Sequence, residues 1–206
     1  MYQNKKEIIP IKKKAPSISY TPLPIFEGKN TICREITHAD TNFLIQWRND
    51  PAIQKFVTLN PYPLTKEFHS DFLRDYFNCP TSFYFIAEHK HLKIPIGAHG
   101  LYDFDKKNKS IEYGWAFINP NFRLHALEAS FLLINFALSK LNCKSIYIRI
   151  LEENIKARKY NKHLGFVETS ETIEINNVKK SIIRGTLTKE TFKSATETYS
   201  KWNARK

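Results

Sequence analysis

Residues that can transfer protons or bind anions are concentrated between positions 110 and 168 of the 206-residue chain. Glu112 offers a carboxylate that can accept a proton. Tyr160 offers a phenol, whose ordinary pKa of about 10 suits it to protonate a leaving group. Arg123 stands at the expected start of a helix, where a cation and unpaired backbone amides together bind anions. These residue types predict proton transfer beside a bound anion.

Other potentially reactive residues point to no metal and no covalent chemistry. Cys33, Cys79 and Cys143 are far apart and form no CxxC pair, so neither a disulfide framework nor a zinc site is predicted. Cys143 has no neighbouring base in the sequence, so nucleophilic catalysis is not expected. The run Glu88–His91 (EHKH) resembles a liganding cluster, but its place at a strand end is typical of a solvated turn.

Alternating and helical patterns of apolar residues predict the elements that position these side chains. The predicted strands cover residues 31–36, 81–88, 94–102, 110–118, 144–151, 166–176 and 180–188. The predicted helices cover residues 41–49, 66–77, 124–141 and 154–164. Thr65 and Asn154 are expected at helix N-termini, Gly165 is expected to end a helix, and Asp50–Pro51 interrupts one. The order β-α-α-β-β-β-α-β-α-β-β predicts one α/β domain.

The segment Asn154–Phe166 carries the most specific motif. It reads N-x-x-A-x-x-Y-x-x-x-x-G-F, with Tyr160 as its tyrosine. This motif resembles the second half-site of the GCN5-related N-acetyltransferase (GNAT) superfamily. The segments Trp47–Asp50 (WRND) and Leu64–His69 (LTKEFH) resemble the branch of the ribosomal-protein N-terminal acetyltransferases, most of all the amino-sugar N-acetyltransferases of the pseudaminic acid pathway. The resemblance spans about residues 30–190.

The resemblance implies an α/β fold with a mixed central sheet of about seven strands, about four flanking helices, and acetyl-CoA as co-substrate. It implies that Tyr160 points at the coenzyme sulfur and acts as general acid. Glu112 lies on the strand that lines the acceptor cleft in this fold and is the candidate base; a strand carboxylate paired with a lysine is the alternative interpretation. The expected acetyl-CoA-binding residues are Phe117, Ile118, Phe122, Arg123, His125, Ala126, Leu127 and Asn154. The expected acceptor-binding residues are Arg48, Asn49 and Trp115, and no metal site is expected.

A loop that leads into a helix N-terminus suits the pyrophosphate of acetyl-CoA, because aligned backbone N–H groups and the positive end of the helix dipole face the anion. The segment Phe122–Leu127 occupies this position. Phe117 and Ile118 would offer backbone groups to the pantetheine arm, as an added strand does. The family's loop usually reads Q/R-x-x-G-x-G/A, whereas residues 123–128 (RLHALE) contain no glycine. This departure keeps open an alternative, a catalytically degenerate binding or regulatory module.

The formal net charge of +12 is concentrated at the two ends of the chain. Residues 1–30 carry six lysines and two glutamates, and residues 178–206 carry eight Lys or Arg and two glutamates, which leaves +2 for residues 31–177. A nucleic-acid-binding domain would carry its basic stripe on a folded element. Nucleic acid is therefore not the expected partner, and RNA binding through the basic ends stays open as an alternative.

No apolar stretch approaches the roughly 18 residues of a membrane span, and the N-terminus lacks the apolar region of a secretory signal, so we expect a cytoplasmic protein. We expect a basic, proline-containing arm over residues 1–30, an acetyltransferase domain over 31–190 and a basic extension over 191–206. The expected function is direct acetyl transfer from acetyl-CoA to a small-molecule primary amine in a ternary complex. That amine is expected on a nucleotide-linked amino sugar, with a protein N-terminus as the alternative acceptor. A homodimer through an edge strand near the C-terminus also stays open.

Overall fold

The computed structural model describes residues 22–56, 63–175 and 178–203. Within these residues the strands are β1 Phe26–Glu27, β2 Thr31–Glu35, β3 Phe83–His89, β4 Pro95–Asp105, β5 Ser110–Ile118, β6 Ser145–Leu151, β7 Val167–Ile175 and β8 Val178–Leu187. The helices are α1 Thr41–Arg48, α2 Pro51–Gln54, α3 Lys66–Tyr76, α4 Arg123–Ser139, α5 Ile155–Leu164 and α6 Lys189–Asn203. Residues 1–21, most of the expected basic arm, lie outside the described residues.

The described strands form one eight-stranded sheet in the order β1-β2-β3-β4-β5-β6-β8-β7. Neighbouring strands pair antiparallel except β5 and β6, which are parallel. This confirms the expected mixed α/β sheet, with one strand more than the seven predicted. The additional strand is the two-residue β1, which lies in the expected arm and pairs with β2.

The described chain divides into two compact units. One unit contains helices α1–α3, within residues 37–80. The other contains the whole sheet and helices α4–α6, within residues 23–36 and 81–203. The candidate chemistry of the central region therefore belongs to the sheet unit, and the predicted acceptor residues Arg48 and Asn49 belong to the helical unit.

Helix α4 is the central helix of the sheet unit, and its sequence explains why. Its 17 residues contain no glycine or proline, and it is apolar on nearly all sides, which is typical of a buried helix. Ala129, Leu133, Ile134 and Ala137 have no exposed surface. They belong to one core with the sheet, and that core also includes Leu164 of α5.

The predicted signals at element ends are confirmed. The Asn154 side chain accepts a hydrogen bond from the Ala157 amide at 3.2 Å and caps α5. Gly165 ends α5 with a φ of 100°, a left-handed conformation that suits glycine. Thr65 caps α3 through the Phe68 amide. The chain resumes a helical conformation directly after the interruption at Asp50, since α2 follows at once.

The segment 191–206, expected as a basic extension, contains most of helix α6, which packs on the core. Phe192 is buried, and its ring lies 5.7 Å from the ring of Phe131 on α4. The Tyr199 ring lies 4.7 Å from the same Phe131 ring. The described part of this segment is therefore a structural element of the sheet unit.

Candidate active site

Strand β5 separates from β6 after three residue pairs. Ser110–Glu112 lies opposite Ser145–Tyr147, but the rest of β5 has no partner in β6 within the described residues. On its other edge β5 carries one extra residue, because Gly100 of β4 faces Gly114 while Ala98 faces Phe117. Such a bulge bends the strand that contains it. The two parallel strands thus open a gap beside the second half of β5.

The bulge is centred on Trp115, which has a φ of 51° although it is not a glycine. Gly114 beside it allows a close approach, since a Cβ there would lie 2.5 Å from the hydroxyl of Tyr102. The Trp115 ring is half-buried and lies 5.9 Å from the ring of Tyr84. The glycine in the predicted strand 110–118 therefore marks a bulge, as the sequence indicated.

Backbone groups of β5 alternate between its two edges. The Asn119 amide donates to the Ile96 carbonyl of β4 at 2.9 Å, so the amide and carbonyl of Ile118 point towards the gap. A Cβ on Gly97 of β4 would lie 2.9 Å from the Phe117 carbonyl oxygen, which places that oxygen at the β4 edge. The geometry thus fits Ile118 as a residue that offers its backbone to a ligand. Residue alternation turns the backbone groups of Phe117 towards β4, so a contact of Phe117 with acetyl-CoA stays a prediction.

The gap adjoins the N-terminus of α4. Asn119 accepts a hydrogen bond from the Asn121 amide at 3.0 Å and starts a 3₁₀ turn, Pro120–Phe122. Helix α4 begins at the next residue, and Phe122 makes no side-chain capping bond in the described structure. The first turn of α4 has no acidic residue. Its backbone amides and dipole therefore remain available to an anion, although the segment has no glycine.

The side chains of this first turn differ in exposure. Arg123 is exposed and Leu124 is 45% exposed, whereas His125 and Leu127 are half-buried. The His125 ring lies 4.6 Å from the ring of His89 at the end of β3. Burial, with a smaller contribution from His89, lowers the pKa of His125. The turn after β3, read from sequence as solvated, therefore contacts the start of α4 through His89.

Tyr160 lies against this same turn. Its hydroxyl donates to the Ala126 carbonyl at 3.1 Å and lies 2.6 Å from Ser130 Oγ. Burial raises the pKa of Tyr160 well above 10. The phenol is therefore protonated at neutral pH, which is the state that a general acid requires. Asn154, predicted as a cofactor contact, is used as the cap of the helix that carries Tyr160.

The candidate base Glu112 is a buried, ion-paired carboxylate. It is 3% exposed, and it accepts a hydrogen bond from the Tyr102 hydroxyl at 2.9 Å. Arg149 of β6 donates to Glu112 Oε2 from Nε at 3.0 Å and from Nη2 at 2.6 Å. The geometry favours the alternative interpretation, a paired carboxylate, with the partly solvent-exposed Arg149 as its partner in place of a lysine. The base role stays a prediction.

The predicted acceptor residues of the helical unit have structural contacts. The Asn49 side chain accepts from the Leu64 amide at 2.6 Å and donates to the Leu64 carbonyl at 2.9 Å. Asn49 thereby links the end of α1 to the residue before the Thr65 cap. Arg48 is 4% exposed, and burial lowers its pKa.

Three polar residues that sequence reasoning missed lie behind Tyr160. Ser130 of α4, Tyr113 of β5 and His99 of β4 are each almost fully buried and are hydrogen-bonded in series. A usable signal was present: Ser130 and His99 are polar residues within otherwise apolar elements. Buried polar groups require hydrogen-bond partners, so polar residues at such positions indicate a buried hydrogen-bond network.

The described residues contain neither a membrane-spanning helix nor a cluster of metal ligands. No helix among them is long and apolar enough to cross a membrane. Nor do they contain three or more His, Cys, Asp or Glu side chains arranged to hold a metal ion.

Comparison with known structures identifies the fold. A GCN5-related N-acetyltransferase from Brucella melitensis superposes with a TM-score of 0.72 at 18% identity, over 89% of each chain. The spermidine N-acetyltransferase from Vibrio cholerae, in complex with CoA and spermine, gives 0.69 at 20% identity, over 80% of this chain and 99% of that one. FdhC, a nucleotide-linked sugar GNAT in its apo form, superposes with a TM-score of 0.69 at 21% identity, over 87% of this chain and 97% of that one.

Comparison by sequence gives one curated relative and one family. An uncharacterized protein of Methanocaldococcus jannaschii is 28% identical over 153 residues, which cover 73% of this chain and 31% of the relative. The chain thus spans about a third of the length of that relative. Residues 30–167 match the family model of the acetyltransferase (GNAT) domain, which is more than half of the chain. The chain therefore belongs to the GNAT acetyltransferase family.

Proposed function

We propose that the protein acetylates the primary amine of a nucleotide-linked amino sugar, by direct attack on acetyl-CoA in a ternary complex. The observation that carries the proposal is the position of the Tyr160 hydroxyl, hydrogen-bonded to Ala126 in the first turn of α4. A proton donor then lies against the same helix whose N-terminal end can bind an anion. An acyl-CoA thioester needs both, one for its pyrophosphate and one for its departing thiolate.

The residues present fit acetyl-CoA. The amides of the first turn of α4, with the Arg123 guanidinium, would bind the pyrophosphate. The backbone of Ile118 would pair with the pantetheine arm in the gap between β5 and β6. The absence of glycine in residues 123–128 does not block this arrangement, because α4 begins immediately after the 3₁₀ turn and its first amides are not capped by a side chain.

The bonds and protons of the reaction balance as follows. The amine nitrogen attacks the thioester carbon, so a C–N bond forms and the C–S bond breaks. The sulfur keeps the electron pair of the broken bond and takes the proton of the Tyr160 hydroxyl, and Tyr160 is reprotonated from solvent. The attacking amine loses its proton to water, which can relay protons in place of a side-chain base.

The charge of the chain favours an anionic acceptor. A nucleotide-linked sugar carries a negative diphosphate, whereas spermidine is a polycation. A net charge of +12 attracts the first and repels the second over long range. The neighbour FdhC is a nucleotide-linked sugar GNAT, which supports the same choice. Trp115, half-buried beside Tyr84, is the proposed stacking surface for the sugar or base, and Arg48 stays a predicted acceptor contact.

Two measurements test the proposal. Excess acetyl-CoA should raise the melting temperature, because a ligand that binds only the folded state stabilises it. Release of free CoA thiol should then be fastest with nucleotide-linked amino sugars, in a panel that also contains spermidine and a peptide with a free N-terminus. No stabilisation by acetyl-CoA would contradict the enzyme and favour the degenerate module. Turnover of spermidine or the peptide alone would contradict the proposed acceptor.

A further inference from the structure

A continuous series of buried side-chain hydrogen bonds leads from Tyr160 into the sheet. Tyr160 Oη lies 2.6 Å from Ser130 Oγ, which lies 2.7 Å from Tyr113 Oη. Tyr113 Oη lies 2.8 Å from His99 Nδ1. The four residues come from α5, α4, β5 and β4, so the series joins four separate elements at the candidate site.

The position of the hydrogen on the His99 ring determines which residue donates and which accepts in each hydrogen bond of this series. His99 is 1% exposed, and burial lowers its pKa to about 4, so the ring is neutral at neutral pH and carries one N–H. Among the described residues, His99 Nε2 has no hydrogen-bond partner. A buried N–H without an acceptor is rarer in folded proteins than an unpaired acceptor. The hydrogen therefore lies on Nδ1, where it is donated to Tyr113.

The remaining hydrogens follow from that assignment. Tyr113 accepts from His99 and so donates its own hydrogen to Ser130. Ser130 Oγ has two acceptors in reach, Tyr160 Oη at 2.6 Å and the Ala126 carbonyl at 3.1 Å. The hydrogens of His99 and Tyr113 then point towards Ser130, and the Ser130 hydrogen is shared between the Ala126 carbonyl and the Tyr160 oxygen. The hydrogen of Tyr160 itself is directed to the Ala126 carbonyl.

We propose that Ser130, Tyr113 and His99 are positioning residues that hold Tyr160 as the proton donor of the reaction and stabilise the phenolate it becomes. This inference rests on the proposed role of Tyr160. When the Tyr160 O–H bond breaks and an S–H bond forms, the electron pair stays on the Tyr160 oxygen. The Ser130 hydroxyl then turns fully to that oxygen, supported by donation from Tyr113 and His99.

The electrostatics of the site agree with this role. Burial makes the Tyr160 phenol a weaker acid, and the hydrogen bond from Ser130 acts in the opposite direction by lowering its pKa. Packing alone does not require these polar residues. Replacing both partners of a buried hydrogen bond with apolar residues of the same shape is nearly neutral for stability. The polar series therefore needs a reason other than packing, and it ends at the Tyr160 hydroxyl.

The test is a set of kinetic variants. Ser130→Ala and Tyr113→Phe should each lower kcat about tenfold, which corresponds to one charge-assisted hydrogen bond, while the KM for acetyl-CoA changes little. Because each variant leaves a buried polar group unpaired and so lowers the melting temperature, kcat is measured at a temperature at which circular dichroism shows the variant to be folded. Ser139→Ala is the matched control, since this serine lies on the same helix, is exposed and donates to the Asn135 carbonyl at 2.6 Å. Its kinetics should equal those of the unaltered protein.

A double-mutant cycle separates this inference from the proposed function. In the Tyr160→Phe background, Ser130→Ala should cause no further loss of kcat, because its effect passes through Tyr160. If Tyr160→Phe lowers kcat but Ser130→Ala and Tyr113→Phe do not, the positioning role is wrong and the proposed function stands. If Tyr160→Phe leaves kcat unchanged, Tyr160 is not the acid and the positioning role fails with it, whereas the proposed acetyl transfer is contradicted only by the binding and turnover measurements given above.

A spectroscopic measurement tests the direction independently of turnover. Nitrogen-15 NMR of the histidine side chains should show His99 as the neutral tautomer with its hydrogen on Nδ1 at pH 7. A hydrogen on Nε2 would reverse the series and overturn the inference. The Tyr113→Phe variant should change the His99 signals and leave those of the exposed His163 in place.

Discussion

The hydroxyl of Tyr160 has two partners on α4, the Ala126 carbonyl and the Ser130 hydroxyl. If the phenol protonates the departing thiolate, Tyr160→Phe should lower kcat by about 100-fold or more, the usual contribution of a general acid. Binding of acetyl-CoA, measured by titration calorimetry, should change little because the ring remains. Tyr147→Phe on β6 is a matched control that should keep full activity. An unchanged kcat in Tyr160→Phe would remove this residue as the acid.

Glu112 offers a test between structural and catalytic roles. Glu112→Gln and Arg149→Ala should each lower the free energy of unfolding by about 1–2 kcal/mol, a moderate figure because Arg149 remains partly in solvent. The double variant should lose less than the sum of the two, since the residues form one pair. Urea unfolding measures all three. A 100-fold fall in kcat confined to Glu112→Gln would instead support the predicted base role.

The residue-scale predictions from sequence succeeded where the signal was local. Asn154 lies three residues before the amide that it caps, and Gly165 directly follows the helix that it ends, so nearby residues determined both. Glu112 and Arg149 are 37 residues apart, and their pairing depends on the parallel register of β5 and β6. No pattern in one sequence specifies such a partner, so the ion pair could not be predicted.

At the scale of elements, the end of α5 has a strict backbone requirement. Gly165 has a φ of 100°, and a Cβ there would lie 2.7 Å from the Thr191 carbonyl oxygen at the start of α6. Gly165→Ala should therefore lower the free energy of unfolding by at least about 1–2 kcal/mol, through backbone strain and displacement of α6. Urea unfolding measures the loss, and the exposed Lys162→Ala in the same helix is the control. Equal stability of the two variants would contradict this account.

Helix α6 shows why an element can be missed. Its residues are mostly polar and charged, so its composition resembles that of a solvated tail. Its apolar residues, Phe192, Ala195 and Tyr199, are nevertheless spaced by three and four, the spacing of one helix face. That face packs against α4 and α5. The periodic signal was present, and the high charge of the segment obscured it.

At the scale of the whole molecule, helix α6 places part of the positive charge on a folded element. Part of the positive charge after residue 178 stands on a packed helix, for example Lys193 and Lys201 on its exposed surface. The charge of these two lysines therefore has a fixed position on the folded protein. Fixed charge contributes to the field that steers an anionic substrate, which fits the proposed nucleotide-linked acceptor.

The global stability should depend on pH through two buried histidines. Burial lowers the pKa of His69 and of His99 to about 4 from an ordinary value of 6.5. Between these values the unfolded chain binds more protons than the folded one, so stability is complete above pH 6.5 and falls as the pH drops towards 4. Each histidine contributes at most about 3 kcal/mol of this loss.

Urea unfolding at pH 7.5, 5.5 and 4.5 measures the dependence. His69→Gln should make the curve flatter without affecting the sheet. Carboxylates such as Glu168, whose pKa is lowered by Arg158, lose their contribution below their own ordinary value of 4.5, outside most of this window. A free energy of unfolding that is constant from pH 7.5 to 4.5 would contradict the role of the two histidines.

The separation of β5 from β6 also has a consequence for deuterium exchange. Successive amides of one strand should exchange at very different rates. The Asn119 amide is bonded to β4 and should exchange slowly, whereas the Ile118 amide faces the gap and should exchange quickly although it lies within the sheet. The exchange rate of the Ile118 amide should therefore show whether a ligand occupies the gap between β5 and β6. This amide should become protected from exchange when acetyl-CoA is added. The acetyl-CoA concentration at half-maximal protection gives the dissociation constant, with no acceptor present.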